Sequence, residues 1–201
     1  WLDIWGEKVE KIADAITEWM IEKHIICRED KKIYITGICQ FISIILDFLG
    51  IVLIGIVFDE LVRIIFFSIL FMYLQRYAGS YHAKTRIGCY CGSMGIVIVN
   101  SVCFRYGTFP IVILMGLLII SVISINILAP VENCRKRLDN LERKVYGRKT
   151  HVISALYVIV YMCLLICGDR YYSQIIVQVL CSGVCVQGMG KIALLQFTTY
   201  N

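Results

Sequence analysis

The sequence predicts an all-α membrane protein: about six transmembrane or re-entrant helices, preceded by an amphipathic N-terminal helix at the membrane interface. Three observations predict it. The chain is 59% hydrophobic, with a mean hydropathy of +0.75, whereas a soluble domain is roughly 45–50% apolar. The excess is gathered into long uninterrupted runs. Only 2 of the 201 residues are Pro, which suits long helices. The net charge of +5 is modest and clustered, so it reads as membrane topology rather than affinity for nucleic acid. A secretory leader is not expected, because the first thirty residues are charged throughout and have no apolar h-region.

Residues 1–32 form the first unit. Leu2, Trp5, Val9, Ile12, Ile16, Trp19 and Met20 recur at helical spacing among Glu7, Lys8, Glu10, Lys11, Asp14, Glu18, Glu22 and Lys23. Such a helix is too polar to span and belongs on the membrane surface or beneath the bundle. A charged turn, 28–32, closes it. Residues 33–201 form the polytopic helical domain. Ile33 to Val57 is long enough to cross, since about 20 apolar residues span the hydrocarbon, and Asp47 lies inside it as a costly carboxylate. Leu61 to Leu74 is a short run interrupted by Arg63, which crosses only if the bilayer thins or the following polar stretch dips in. Gly88 to Phe104 is the third run, with Ser93, Asn100 and Ser101 as interhelical hydrogen-bonding groups. Ile111 to Ala129, ended by Pro130, is the cleanest span. A basic loop at 131–150 precedes the fifth run, His151 to Cys167. Ser173 to Gly190 is the sixth, with Gly and Ser that permit close helix approach, and a short tail follows.

Lys and Arg set the orientation. With six crossings, segments 1–32, 75–87, 131–150 and 191–201 share one side and carry 6, 3, 7 and 1 Lys/Arg. The other side holds Arg63, Arg105 and Arg170. That bias places both termini, the polar segment 75–91 and the basic loop in the cytoplasm. It also favours counting the short second run as a crossing. The basic loop is a positive-inside determinant in contact with anionic membrane lipid.

The ten Cys do not read as a disulfide or metal framework. Cys39, Cys103, Cys163, Cys167, Cys181 and Cys185 lie inside apolar runs, where Cys packs as a small hydrophobe. There is no C-x-x-C, and neither a metal nor another cofactor is expected. The chemistry concentrates in 75–91. Here His82 precedes Cys89 by seven residues among the cations Arg76, Lys84 and Arg86. A neighbouring imidazole or cation lowers a thiol pKa from about 8.5 and makes a thiolate nucleophile. The same His also fits a structural role at a membrane boundary. On a straight helix the two would stand about 10 Å apart, too far for the roughly 3 Å of a proton transfer. Acting together therefore requires a break, and Gly79 and Gly88 are the natural places for it. Cys89 is then expected near the start of the third spanning helix, where the helix N-terminus favours a thiolate. Asp47 and Asn100 are the polar groups available to orient the pair.

The string Arg76-Tyr77-Ala78-Gly79-Ser80-Tyr81-His82-Ala83-Lys84-Thr85, followed by Cys89, resembles the signature of the accessory gene regulator B (AgrB) family, membrane cysteine endopeptidases of Gram-positive quorum sensing. Length, amphipathic start, six apolar segments and the basic loop opened by Pro130 are similar as well. The resemblance implies a multi-pass protein of the bacterial plasma membrane that cuts the C-terminal tail from an AgrD-like propeptide. It implies Cys89 as nucleophile, His82 as base, a thioester on Cys89, and closure of a thiolactone or lactone by an internal Cys or Ser of the propeptide. Arg76, Gly79, Ser80, Lys84 and Arg86 then support the site. Arg135, Lys136 and Arg137 become candidates to dock the acidic tail of the propeptide. Two positions depart from the family pattern: Ser80 stands where a second Gly is usual, and Gln75 where a second Arg is usual. Cys91 is the alternative thiol, but the spacing favours Cys89. A homodimer is compatible with this reading. Outside it stand two others, a small transporter or exporter using His82 and Asp47 as pathway groups, and a non-catalytic scaffold. No inverted repeat supports the transporter.

Overall fold

The computed structural model describes residues 2–79, 86–107, 109–130 and 139–199. Among them are seven α-helices and no strand: α1 (Leu2–Glu22), α2 (Lys31–Val57), α3 (Leu61–Ala78), α4 (Arg86–Tyr106), α5 (Ile111–Leu128), α6 (Asn140–Ile166) and α7 (Arg170–Thr199). A single 3-10 turn, Arg28–Asp30, leads into α2. The helices α2 to α7 are each long and apolar enough to cross a membrane.

Several helices extend beyond the apolar runs that announce them. α3 reaches 18 residues because the polar residues Gln75 to Ala78 continue it by a turn. α6 begins at Asn140, so the second half of the basic stretch is helix rather than loop. α7 runs on to Thr199, through most of the stretch expected as a tail. Backbone hydrogen bonds explain the extensions. Continuing a helix satisfies N–H and C=O groups internally, so a helix does not stop where apolar side chains stop. α5 ends where the sequence places its stop. Ala129 is extended (φ −77°, ψ 149°), as a residue before Pro must be.

The core gathers around α7, which packs against α3, α5 and α6. Ile175, Val177, Val179 and Leu180 of α7 are buried with Ile64, Phe67, Leu74, Ile125 and Tyr161. A Cβ on Gly183 would stand 3.0 Å from Leu74 Cδ2, so this glycine sets how closely α3 and α7 meet. α1 does not bury its whole apolar stripe. Val9, Ala13 and Thr17 face inward, with Val9 and Ala13 clustered against Cys39 of α2. Ile12, Ile16 and Trp19 stay exposed on the adjoining flank. Lys31 ties α1 to α2 through Asp14 at 2.8 Å and Glu18 at 2.5 Å.

One end of the bundle is held by Arg63. The turn between α2 and α3 is tight: Glu60 N–H bonds Gly55 O at 2.9 Å, and a Cβ on Gly55 would meet Leu61 Cα at 2.9 Å. Arg63, one turn into α3, is only 6% exposed. It donates to Phe104 O at 3.0 Å, pairs with Glu60 at 3.7 Å and lies over the Phe104 ring. The charge that interrupts the apolar run thus satisfies a carbonyl at the C-terminus of α4. Arg105 and Asp59 pair beside it at 3.2 Å, and Gln174 of α7 donates to Cys103 O and Gly107 O. Arg63→Met removes a buried charge-assisted hydrogen bond and leaves Glu60 facing an apolar side chain. Stability should fall by about 1.5–3 kcal/mol, read as a lower midpoint of denaturant unfolding in detergent micelles. Substitution of the exposed pair partner Arg105 should move it by less than about 1 kcal/mol.

Candidate active site

The opposite end of the bundle carries the polar segment. The last turn of α3 is Gln75-Arg76-Tyr77-Ala78, and Gly79 follows with φ 85° and ψ 151°. Only glycine adopts that backbone without strain. Gly79 N–H still bonds Gln75 O at 3.1 Å, so the chain leaves the helix at this residue. Residues 80–85, with Ser80, His82 and Lys84, lie outside the described residues. The chain is helical again from Arg86. The break expected at Gly79 is present. The second break, expected at Gly88, is not, because Gly88 already belongs to the first turn of α4. The physical reason is that glycine is tolerated inside a helix as well as at a turn, so Gly88 continues α4 rather than interrupting it.

Cys89 is the fourth residue of α4 and is half-buried. The first turn of a helix carries backbone N–H groups without helical acceptors and the positive end of the dipole. Ser93 donates to Cys89 O at 3.1 Å, one turn on. Cys91 is exposed and lies about 200° further round the helix at roughly 100° per residue. The two thiols therefore serve different surfaces.

Tyr77 is the hub that joins this end of α3 to the start of α6. Its ring stands 6.1 Å from that of Tyr146 and 5.8 Å from that of Tyr73, both edge-on. Lys149 Nζ lies 4.8 Å from the Tyr77 centroid and the exposed Arg76 guanidinium 6.0 Å. Aromatic and cation–π contacts of this kind thus bring the helical half of the basic stretch against the polar segment. In the sequence, Lys149 reads only as a positive charge and Tyr77 only as part of the motif string. The signal for their contact is that Tyr77 follows Arg76 and Tyr146 stands between Lys144 and Arg148. Gln75 turns the other way, toward α7, with its Nε2 3.7 Å from where a Cβ on Gly183 would sit. A cation at this position would be taken into the bundle, which explains an uncharged side chain there. Arg135, Lys136 and Arg137 lie outside the described residues.

The two groups considered as orienting partners separate. Asn100 is 5% exposed and bonds Ile96 O at 2.8 Å and Ser182 Oγ at 3.1 Å. It stands eleven residues beyond Cys89, about 16 Å along the helix, so it pins α4 to α7 and does not reach the thiol. Asp47 stays near. It lies one turn before Gly50, whose Cβ would be 3.0 Å from the hydroxyl of Tyr90, the neighbour of Cys89, and its Oδ1 is shielded without a hydrogen-bond partner. His151 is structural: its Nδ1 and Ser154 Oγ share Asn126 Oδ1 and sew α6 to α5.

A model of the family described as AgrB, accessory gene regulator B, matches residues 10–190. No curated protein and no solved structure matches the chain. The chain therefore belongs to the accessory gene regulator B family. It is a multi-pass membrane protein of agr quorum-sensing autoinducer processing, and its family acts with the AgrD propeptide. Because Gly79 occupies a left-handed backbone region, Gly79→Ala should destabilise the fold by about 1–3 kcal/mol. Unfolding in detergent measures it, and an unchanged midpoint would mean that the α3 stop does not depend on glycine.

Proposed function

We propose that this protein is a membrane cysteine endopeptidase that removes the C-terminal tail of an AgrD-like propeptide and promotes its cyclisation. The observation that carries the reading is Cys89, a half-buried thiol in the first turn of α4, in a segment that leaves α3 at Gly79 and matches the His82-to-Cys89 spacing of the family. Cys89 Sγ attacks the scissile carbonyl. His82 accepts the thiol proton and delivers it to the leaving amine of the tail. The acyl half stays on Cys89 as a thioester. An internal Cys or Ser of the propeptide attacks that thioester, giving its proton to His82 and expelling Cys89 as thiolate. A thioester retains the acyl activation that hydrolysis would dissipate, so a site shielded from water suits the second step.

The remaining parts of the reading rest on charge. By the positive-inside bias, both termini and the site lie on the cytoplasmic side of the plasma membrane. Arg135, Lys136 and Arg137 dock the acidic tail, beside a helix whose Lys149 already packs on Tyr77. Arg76, Gly79, Ser80, Lys84 and Arg86 support the backbone and the field around the thiol. Anionic lipid and a second copy of the chain are further partners, and the exposed apolar flank of α2, with Phe41, Phe48 and Leu53, is available to either.

Co-expression with the propeptide tests the assignment. Cys89→Ala should abolish tail release, His82→Ala should lower it by about 10²–10⁴-fold, and Cys91→Ala should leave it intact, all with normal membrane insertion. Full tail release by Cys89→Ala would overturn the thiol mechanism. Joint replacement of Arg135, Lys136 and Arg137 by Gln should raise the KM for the propeptide and flatten its salt dependence. An unchanged KM in a correctly inserted variant removes the docking role.

A further inference from the structure

A cavity of about 460 Å³ opens between α4, α5 and α7. Its α4 wall is Gly92, Ile96, Val99 and Cys103, with Leu117 of α5 and Gln178 of α7 beside them. The α4 positions fall three, seven, ten and fourteen residues after Cys89, which is a single helical face. The groove therefore begins one turn from Cys89 and follows α4 for about 16 Å.

Two features of it are not explained by the packing of the chain itself. The side-chain amide of Gln178 has both polar atoms shielded from solvent and no hydrogen-bond partner, a costly state inside an apolar wall. Its polar neighbours in the wall, Asn100 and Ser182, bond each other at 3.1 Å. The second feature is glycine. A Cβ at Gly92 or Gly95 would meet nothing within 4 Å, in contrast to Gly50, Gly55 and Gly183, which sit against neighbouring helices. Glycine is unfavourable inside a helix, and here it brings no helix closer; it keeps room free.

We propose that this groove binds an apolar segment of the peptide on the acyl side of the cut, with the Gln178 amide paired to one of its main-chain peptide groups. The inference rests on Cys89 as the nucleophile. A side-chain amide offers a carbonyl acceptor and N–H donors, the complement of a peptide group. A lipid acyl chain offers neither partner. Apolar walls with one unpaired amide therefore select an apolar peptide over lipid. When the tail leaves, the acyl half remains on Cys89, and a groove whose wall starts one turn away at Gly92 holds it while the ring closes.

The test uses the full chain in nanodiscs with its propeptide. A benzoylphenylalanine at Val99, in a Cys89→Ala background, should capture the propeptide through residues upstream of the cut, and excess unlabelled propeptide should compete. Capture of phospholipid alone at saturating propeptide overturns the proposal. In the active protein, Gln178→Leu should raise KM about tenfold with kcat within about twofold. Gly95→Phe should do the same by filling the groove, and Gly95→Ala, whose Cβ meets nothing, should not. Wild-type KM in both Gln178→Leu and Gly95→Phe overturns the groove even where Cys89→Ala abolishes tail release. Propeptide capture at Val99 alongside full tail release by Cys89→Ala supports the groove and removes the thiol mechanism.

Discussion

No water reaches the hydrocarbon core of a bilayer, so a polar group at that depth is costly unless it faces protein. That constraint arranges this bundle. α7 carries Gln174, Gln178, Ser182 and Gln187 along its spanning part, and it is the most enclosed of the six, with 56% of its span buried. α2 is almost wholly Ile, Leu, Val and Phe through its middle and has 6% buried. The helix with the most side-chain amides along its span is the most enclosed, and α3, α5 and α6 assemble on it.

The two ends of the bundle are held by different means. At one, Arg63 and Gln174 occupy carbonyls at the C-terminal end of α4, which otherwise lack helical donors. At the other, α3 and α6 are joined by rings and cations around Tyr77. α4 is thus anchored at its far end, and Cys89 lies in its first turn. The far end of α4 is held by buried hydrogen bonds, and the junction of α3 and α6 by contacts that are individually weak.

Much of the fold was legible because membrane helices are read from composition. All six spans, their order and the Pro130 stop appear in hydropathy alone. The helix limits were less legible, since backbone hydrogen bonding carries α3, α6 and α7 beyond their apolar runs. Around the site, the Gly79 break could be read from the chain, because only one residue type accepts that backbone. Gly88 could not be separated from it, since glycine is tolerated in a helix as well as required at a turn. The roles of Arg63 and Tyr77 were invisible for a different reason: their partners, Phe104 and Tyr146, are distant in sequence.

Composition, hydrophobic run lengths and the Arg76-to-Cys89 motif by themselves determined a six-span all-α membrane protein of the accessory gene regulator B family. These are local properties, set by what each residue prefers as a solvent and by spacing along one strand of backbone. Tertiary structure alone decided which helix became the axis, that Arg63 turns inward, that the basic stretch meets Tyr77, and that α4, α5 and α7 enclose a groove whose wall starts one turn from Cys89 and includes the amide of Gln178. Each of these depends on which faces of separate helices meet, and helix faces are matched only once the bundle has packed.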